Sequence, residues 1–141
     1  MSSSFIKHDK ISIECFILKT RHLTCKICIN DVEGIFLIDS GASNSCIDIE
    51  SKKKFKLEKF KKSYSASGAG NEKFNAFKTK IAELSYQKNF IEKLNFLLID
   101  MKSINNALKE SDDVNIDGIL GADFLTKKNA EINYRSMTLS F

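Results

Sequence analysis

The stretch Phe36-Leu37-Ile38-Asp39-Ser40-Gly41-Ala42-Ser43 decides how the rest of this chain is read. Residues 35–38 (IFLI) form an apolar run short enough to be a fully buried strand. A carboxylate follows at once. Ending a buried segment on an ionised group is costly unless neighbouring donors satisfy it. Ser40 can donate or accept a hydrogen bond, and a tight turn at Gly41 would bring a backbone N–H to the Asp39 carboxylate. Taken alone, Asp-Ser-Gly is also ordinary turn chemistry at the end of a strand. The rest of the chain decides between the two readings.

Working upstream, residues 11–18 (ISIECFIL) are rich in β-branched and aromatic side chains, and residues 23–29 carry an apolar alternation. Both read as strands. Residues 30–34 (NDVEG) supply turn chemistry, so a hairpin leads straight into Asp39. Downstream, residues 63–75 (SYSASGAGNEKFN) place small residues and two glycines between β-like arms, the composition of a mobile hairpin tip. Residues 77–86 and 90–99 read as two longer strands, and residues 103–109 as a short helix or a loop. An apolar strand over 116–121, a short helix over 122–128 and strands at 130–134 and 137–141 complete the chain. The spacing predicts an all-β fold with one or two short helices. Neither repeat nor linker interrupts it, so a single domain is expected over 1–141, with residues 1–10 as a loose N-terminal segment.

The 141 residues suffice to bury one core without disulfides or metal. A hydrophobic share of 43% is too high for a disordered chain. The net charge of +4 supports solubility and does not by itself call for nucleic acid. The start lacks the charged and apolar regions of a secretory signal, and no apolar run is long enough to span a bilayer, so a soluble cytoplasmic protein without membrane contact is expected.

Four cysteines stand at 15, 25, 28 and 46. Cys25 and Cys28 form one C-x-x-C without a second pair, and neither His8 nor His22 completes a zinc set at suitable spacing. Residues 24–29 (TCKICI) read as a strand, on which residues three apart face opposite sides, so no metal or redox role is assigned. Residues 50–62 (ESKKKFKLEKFKK) interleave seven lysines with Phe55, Leu57 and Phe60. A basic nucleic-acid patch is one reading. A surface helix or loop with its apolar side chains turned inward explains the run as well, and no stacking platform accompanies it.

Three features now stand in order: Asp39-Ser40-Gly41-Ala42, the glycine hairpin at Gly68-Ala69-Gly70, and Ile116-Asp117-Gly118-Ile119-Leu120-Gly121-Ala122-Asp123-Phe124-Leu125. The first resembles the D-[TS]-G-A signature of retropepsin-like aspartic proteases. The third is similar to the apolar-apolar-Gly segment that packs beneath their catalytic loop, and the hairpin between them resembles their flap. The tail, GADFL followed by AEINYRSMTLSF, resembles bacterial single-domain members of that family. The resemblance covers residues 11–141.

It implies a small closed barrel-like fold with a flap hairpin, and a peptide or protein as substrate. Asp39, Ser40 and Gly41 would be the catalytic residues. Ala42, Ser43, Ser67, Gly68, Ala69, Gly70 and Ile119 would line the substrate cleft, and Ser45, Gly121 and Asp123 would support the loop from behind. No cofactor or metal is implied. Only one D-S-G is present, so Asp39 would find its partner carboxylate in a homodimer, near the two-fold axis, with Ser40 bonding the partner's loop. Ser40 stands where the viral enzymes use Thr. Ser43 and Asn44 stand where those enzymes often carry acidic residues, which alters the expected contacts to the substrate backbone. The competing readings are a catalytically silent dimerisation or peptide-binding module on the same fold, and a nucleic-acid binder using residues 52–62.

Overall fold

The computed structural model describes residues 10–67 and 73–141. Of the N-terminal segment only Lys10 is among them, and Gly68, Ala69 and Gly70 lie outside the described residues. In chain order the strands are β1 (Ser12–Ile17), β2 (Leu23–Ile29), β3 (Val32–Ile38), β4 (Cys46–Asp48), β5 (Lys59–Ser67), β6 (Lys73–Thr79), β7 (Ala82–Tyr86), β8 (Asn89–Leu94) and β9 (Leu97–Ile99). Helix α1 (Lys102–Lys109), β10 (Gly118–Leu120), α2 (Ala122–Lys127), β11 (Glu131–Asn133) and β12 (Thr138–Ser140) follow.

The strands join in the order β11-β12-β1-β2-β3-β10-β4-β9-β6-β5, with β7 and β8 branching from β2. This corrects the closed barrel expected above, because among the described residues the path has two free ends, at β11 and at β5. Lys59, Lys61 and Lys62 on the free edge of β5 discourage a further strand from pairing there. Several boundaries also differ from the expected ones. The β2–β3 turn occupies only Asn30 and Asp31, whose φ values of 49° and 66° suit residues that tolerate the left-handed region. Gly34 is instead a strand residue, since a Cβ there would come within 2.5 Å of the Phe55 ring.

The run 77–86 is split between β6 and β7, and 90–99 between β8 and β9. Residues 103–109 fall within the helix α1. The lysine-rich run is mixed: a 3-10 turn at Ile49–Ser51, further turns, and then the first part of β5. Its Phe55 and Leu57 are buried, whereas Phe60 is 45% exposed. No helix among the described residues is long and apolar enough to cross a membrane.

Alternation along the central strands sorts the core into two clusters. Phe36 and Ile38 of β3 join Phe55, Phe96 and Phe124 in the larger one. Ile35 and Leu37 join Ile116, Ile119, Ala76 and Met101 in the smaller one, where Ala42, Ala66, Phe74 and Leu97 are half-buried. Burying each of the large rings stabilises the fold by roughly 1.5–3 kcal/mol.

Asp117 ties these layers together. It is only 6% exposed, and its carboxylate accepts from Ile35 N–H at 3.0 Å, Ser51 Oγ at 3.0 Å and Lys54 Nζ at 3.1 Å. Its backbone bonds to Ile35 on β3 and to Asp48 on β4. Sequence reading sees it only as an Asp-Gly lacking the hydroxyl of a second signature. The signal available was a carboxylate inside an apolar run, which needs a buried partner. Replacing Asp117 by Ala leaves the Ile35 N–H and the Ser51 hydroxyl unpaired. The variant should lose about 2–5 kcal/mol in urea unfolding, against under about 1 kcal/mol for an exposed-site control such as Lys53→Ala.

Candidate active site

The buried strand β3 aims at Asp39. It lies between β2, antiparallel, and β10, parallel, with Leu37 opposite Ile119 and Ile38 opposite Leu120. Asp39 is the first residue past the strand, and its N–H still donates to the Leu120 carbonyl at 3.0 Å. A turn then closes, with Ala42 N–H donating to the Asp39 carbonyl at 3.1 Å. Gly41 N–H donates to Asp39 Oδ1 at 2.9 Å. No glycine among the described residues has positive φ, and a Cβ at Gly41 would stand in tight contact, 3.2 Å, with the same carboxylate oxygen. Asp39, Ser40 and Gly41 are exposed. A carboxylate is thus presented to solvent from the tip of an otherwise buried, doubly paired strand.

Behind this turn the chain is fastened to α2. Ala122 N–H donates to the Ala42 carbonyl at 2.7 Å and Asp123 N–H to the Ser43 carbonyl at 3.2 Å. Asp123 accepts from Ser45 Oγ at 2.7 Å, from Ser45 N–H at 3.0 Å and from Phe124 N–H at 2.8 Å. The Ser45 oxygen in turn accepts from Gly121 N–H at 2.9 Å. The close approach explains Gly121: a Cβ there would meet the Ala42 carbonyl at 2.7 Å and Asn44 backbone at 2.9 Å. Gly118 is bound by the same logic, since its Cβ would lie 2.4 Å from the Cys46 carbonyl.

The structure therefore brings Asp39, Gly41 and Ala42 into one turn and joins Ser43, Ser45, Gly121 and Asp123 behind it. Ala42 and Ile119 both sit on the smaller apolar cluster, together with Ala66 and Phe74 from the two arms of the β5–β6 hairpin. Ser67 ends the described part of β5 and is exposed. Ala66, Phe74 and Leu97 pack on the same cluster and were not singled out by the sequence reading; of these, alternation along β6 could have found Phe74. Two surface recesses, of about 390 and 460 Å³, lie elsewhere, and Asp39 lines neither.

The fastening sets two measurable expectations. Ser45 is fully buried, so Ser45→Ala strands the Gly121 N–H and removes one bond to Asp123; it should cost about 1–3 kcal/mol in chemical denaturation. Burial pushes the Cys46 thiol, at the end of this loop, up to about 11, and the Asp123 carboxylate adds to the shift. The native state then keeps a proton that the unfolded chain releases near pH 9. That stabilisation is present below pH 9 and is lost as pH rises through about 11. The denaturation midpoint should therefore fall between those values, and fall less in Cys46→Ala; an equal fall in both would contradict the assignment.

Comparison with known proteins bears on the family and the fold. The Aspartyl protease family matches residues 25–124. A search of curated proteins finds no match. Among solved structures, the EIAV protease complexed with the inhibitor HBY-793 superposes with a TM-score of 0.58 at 21% identity, covering 82% of this chain and 95% of that one. A retropepsin-like aspartic protease from Rickettsia conorii gives 0.56 at 16% identity, covering 94% and 91%. The retroviral protease-like domain of Ddi1 from Leishmania major gives 0.58 at 18% identity, covering 84% and 86%. With the family matching residues 25–124, most of this chain, and the retropepsin-like fold shared with these structures, the chain belongs to the aspartyl protease family.

Proposed function

We propose that this chain is an aspartic endopeptidase whose active site forms between two copies, each contributing Asp39. The observation that carries this reading is the exposed carboxylate at the end of buried β3, held by Gly41 N–H. The chain has one D-S-G, so a single protomer supplies one such carboxylate. A two-fold axis passing near the 39–42 turns would set the two carboxylates side by side, because a residue near the axis meets its own copy.

The chemistry follows from that pairing. Two carboxyls in contact cannot both ionise readily, so they share one proton. The ionised carboxylate draws a proton from a water molecule, which attacks the scissile carbonyl carbon while the neutral carboxyl donates to its oxygen. When the tetrahedral species collapses, the C–N bond breaks as one carboxyl gives its proton to the leaving amine and the other, ionised, takes one from a hydroxyl on the tetrahedral carbon, which re-forms a carbonyl. The dyad returns to one proton without a covalent enzyme intermediate. Ala42, Ile119, Ala66 and Phe74 offer an apolar wall for substrate side chains, suited to a peptide lying extended beneath the hairpin. Ser43 and, at the hairpin, Ser67, Gly68, Ala69 and Gly70 are assigned as its backbone contacts. Ser40 bonds the partner's turn, and Asp123 braces the 42–45 segment through Ser45. Four free thiols suit a reducing compartment, and we assign the protein to the cytoplasm.

Removing the carboxylate's ability to take the proton should stop the reaction without unfolding the chain. Asp39→Asn should lower hydrolysis of an unfolded protein by about 10²–10⁴-fold while its melting temperature stays near wild type. Residual turnover near the wild-type rate would show that Asp39 is not the acting group, whereas no turnover by the wild type would favour a binding module instead.

A further inference from the structure

The two arms of the hairpin carry a charge that catalysis does not require and that edge protection of β5 explains only for Lys59, Lys61 and Lys62. Strands β5 and β6 contain five lysines (Lys59, Lys61, Lys62, Lys73 and Lys78) and no acidic residue. The ion pairs formed among the described residues use none of the five. Of the two acids that flank these strands in sequence, Glu58 is paired with Lys80 at 3.5 Å, and Glu72 lies outside the described residues.

Register sorts these lysines by face. Tyr64 lies opposite Ala76, and Ala66 opposite Phe74. Ala76 is buried in the smaller apolar cluster, on which Ala66 and Phe74 also pack beside Ala42 and Ile119. Directly opposed residues point to one side of a sheet, so Tyr64 shares the face that looks toward the Asp39 turn. The Lys62 ammonium lies 5.2 Å from the centre of the Tyr64 ring and therefore stands on that face. Lys78 is opposite Leu97, which packs on the same cluster. Lys59, by contrast, lies 4.1 Å over Phe77, a residue of the other cluster.

Two cations and a 43% exposed tyrosine thus share one side of the hairpin at the irregularity in β5–β6 pairing between Lys59 and Ser63. From this, and resting on the reading of the chain as a peptidase, we propose that Lys62, Tyr64 and Lys78 form an outer subsite that selects an acidic residue of the substrate, beyond the apolar positions next to the cut. A peptide strand laid along this face would bring a carboxylate between two ammonium groups, with charge-assisted hydrogen bonds to both. A Lys or Arg in the same place would meet two like charges partly stripped of water. The apolar wall nearer Asp39 would be indifferent to this charge, so the two parts of the cleft read different properties of the peptide.

The test compares three full-length proteins on a peptide library derived from a digested proteome, with cleaved products sequenced by mass spectrometry. Wild type should enrich Asp and Glu at one or more positions outside the apolar ones, by roughly 5–20-fold over Lys and Arg, and less so as salt is raised. Lys62→Glu combined with Lys78→Glu should erase or invert that preference while cutting the remaining peptides. Lys62→Arg combined with Lys78→Arg should keep it. An unchanged acidic preference in the charge-reversed protein, or no charge preference in wild type, overturns the subsite and leaves the peptidase reading intact. If wild type cleaves no peptide, catalysis fails as a reading. Binding of the same library to Asp39→Asn then decides: enrichment of acidic peptides that is lost on charge reversal supports the subsite, and no enrichment overturns it as well.

Discussion

The parallel pairing of β3 with β10 is the constraint on which the rest of the site depends. It buries two short apolar strands side by side and extends one backbone bond further, from Asp39 N–H to the Leu120 carbonyl. The acid thereby leaves the core at a fixed point. Two residues of β10 and its end allow the approach. At Gly118 and at Gly121 any side chain would run into the backbone of the 42–46 segment. The Ile-Leu-Gly and Asp-Ser-Gly stretches are therefore one object, although some eighty residues separate them in the chain.

Aspartates near this pairing divide by what they touch. Asp117 is buried, and donors from β3, Ser51 and Lys54 surround it. Asp123 accepts from both groups of Ser45 and from Phe124. Asp48 caps the 3-10 turn by accepting from Glu50 N–H at 3.2 Å. Each of these satisfies the requirement that a carboxylate close to a core find donors. Asp39 differs: among the described residues its carboxylate accepts from Gly41 N–H alone, and it faces solvent. A group left open at the end of a rigid strand has capacity for chemistry that the satisfied ones lack.

Much of this was legible in the sequence. The all-β class follows from short β-branched and aromatic runs between turns, and the family from three motifs in order. What escaped reading was what depends on contacts far apart in the chain. The lysine-rich run 50–62 looks uniform, yet Phe55 is inserted under Gly34 and Lys54 meets Asp117, while Lys59 begins a strand. Local composition cannot distinguish such neighbours. Likewise the turn at Asn30 and Asp31 is shorter than its composition suggests, because Gly34 is demanded by the Phe55 ring and not by the turn. The open sheet edge at β5 escapes for a similar reason, since strand order is set by long-range pairing.

The central claim is that two Asp39 carboxylates from different chains make one active site. It is tested most directly by mixing wild-type protein with Asp39→Asn protein at constant total concentration, allowing subunits to exchange, and measuring peptide hydrolysis. If both carboxylates are needed, an equal mixture retains about one quarter of wild-type activity, because only dimers with two wild-type chains work. If each chain acts alone, activity follows the wild-type fraction, and the equal mixture retains about one half. The quadratic fall is the predicted result, and a linear one would contradict the account.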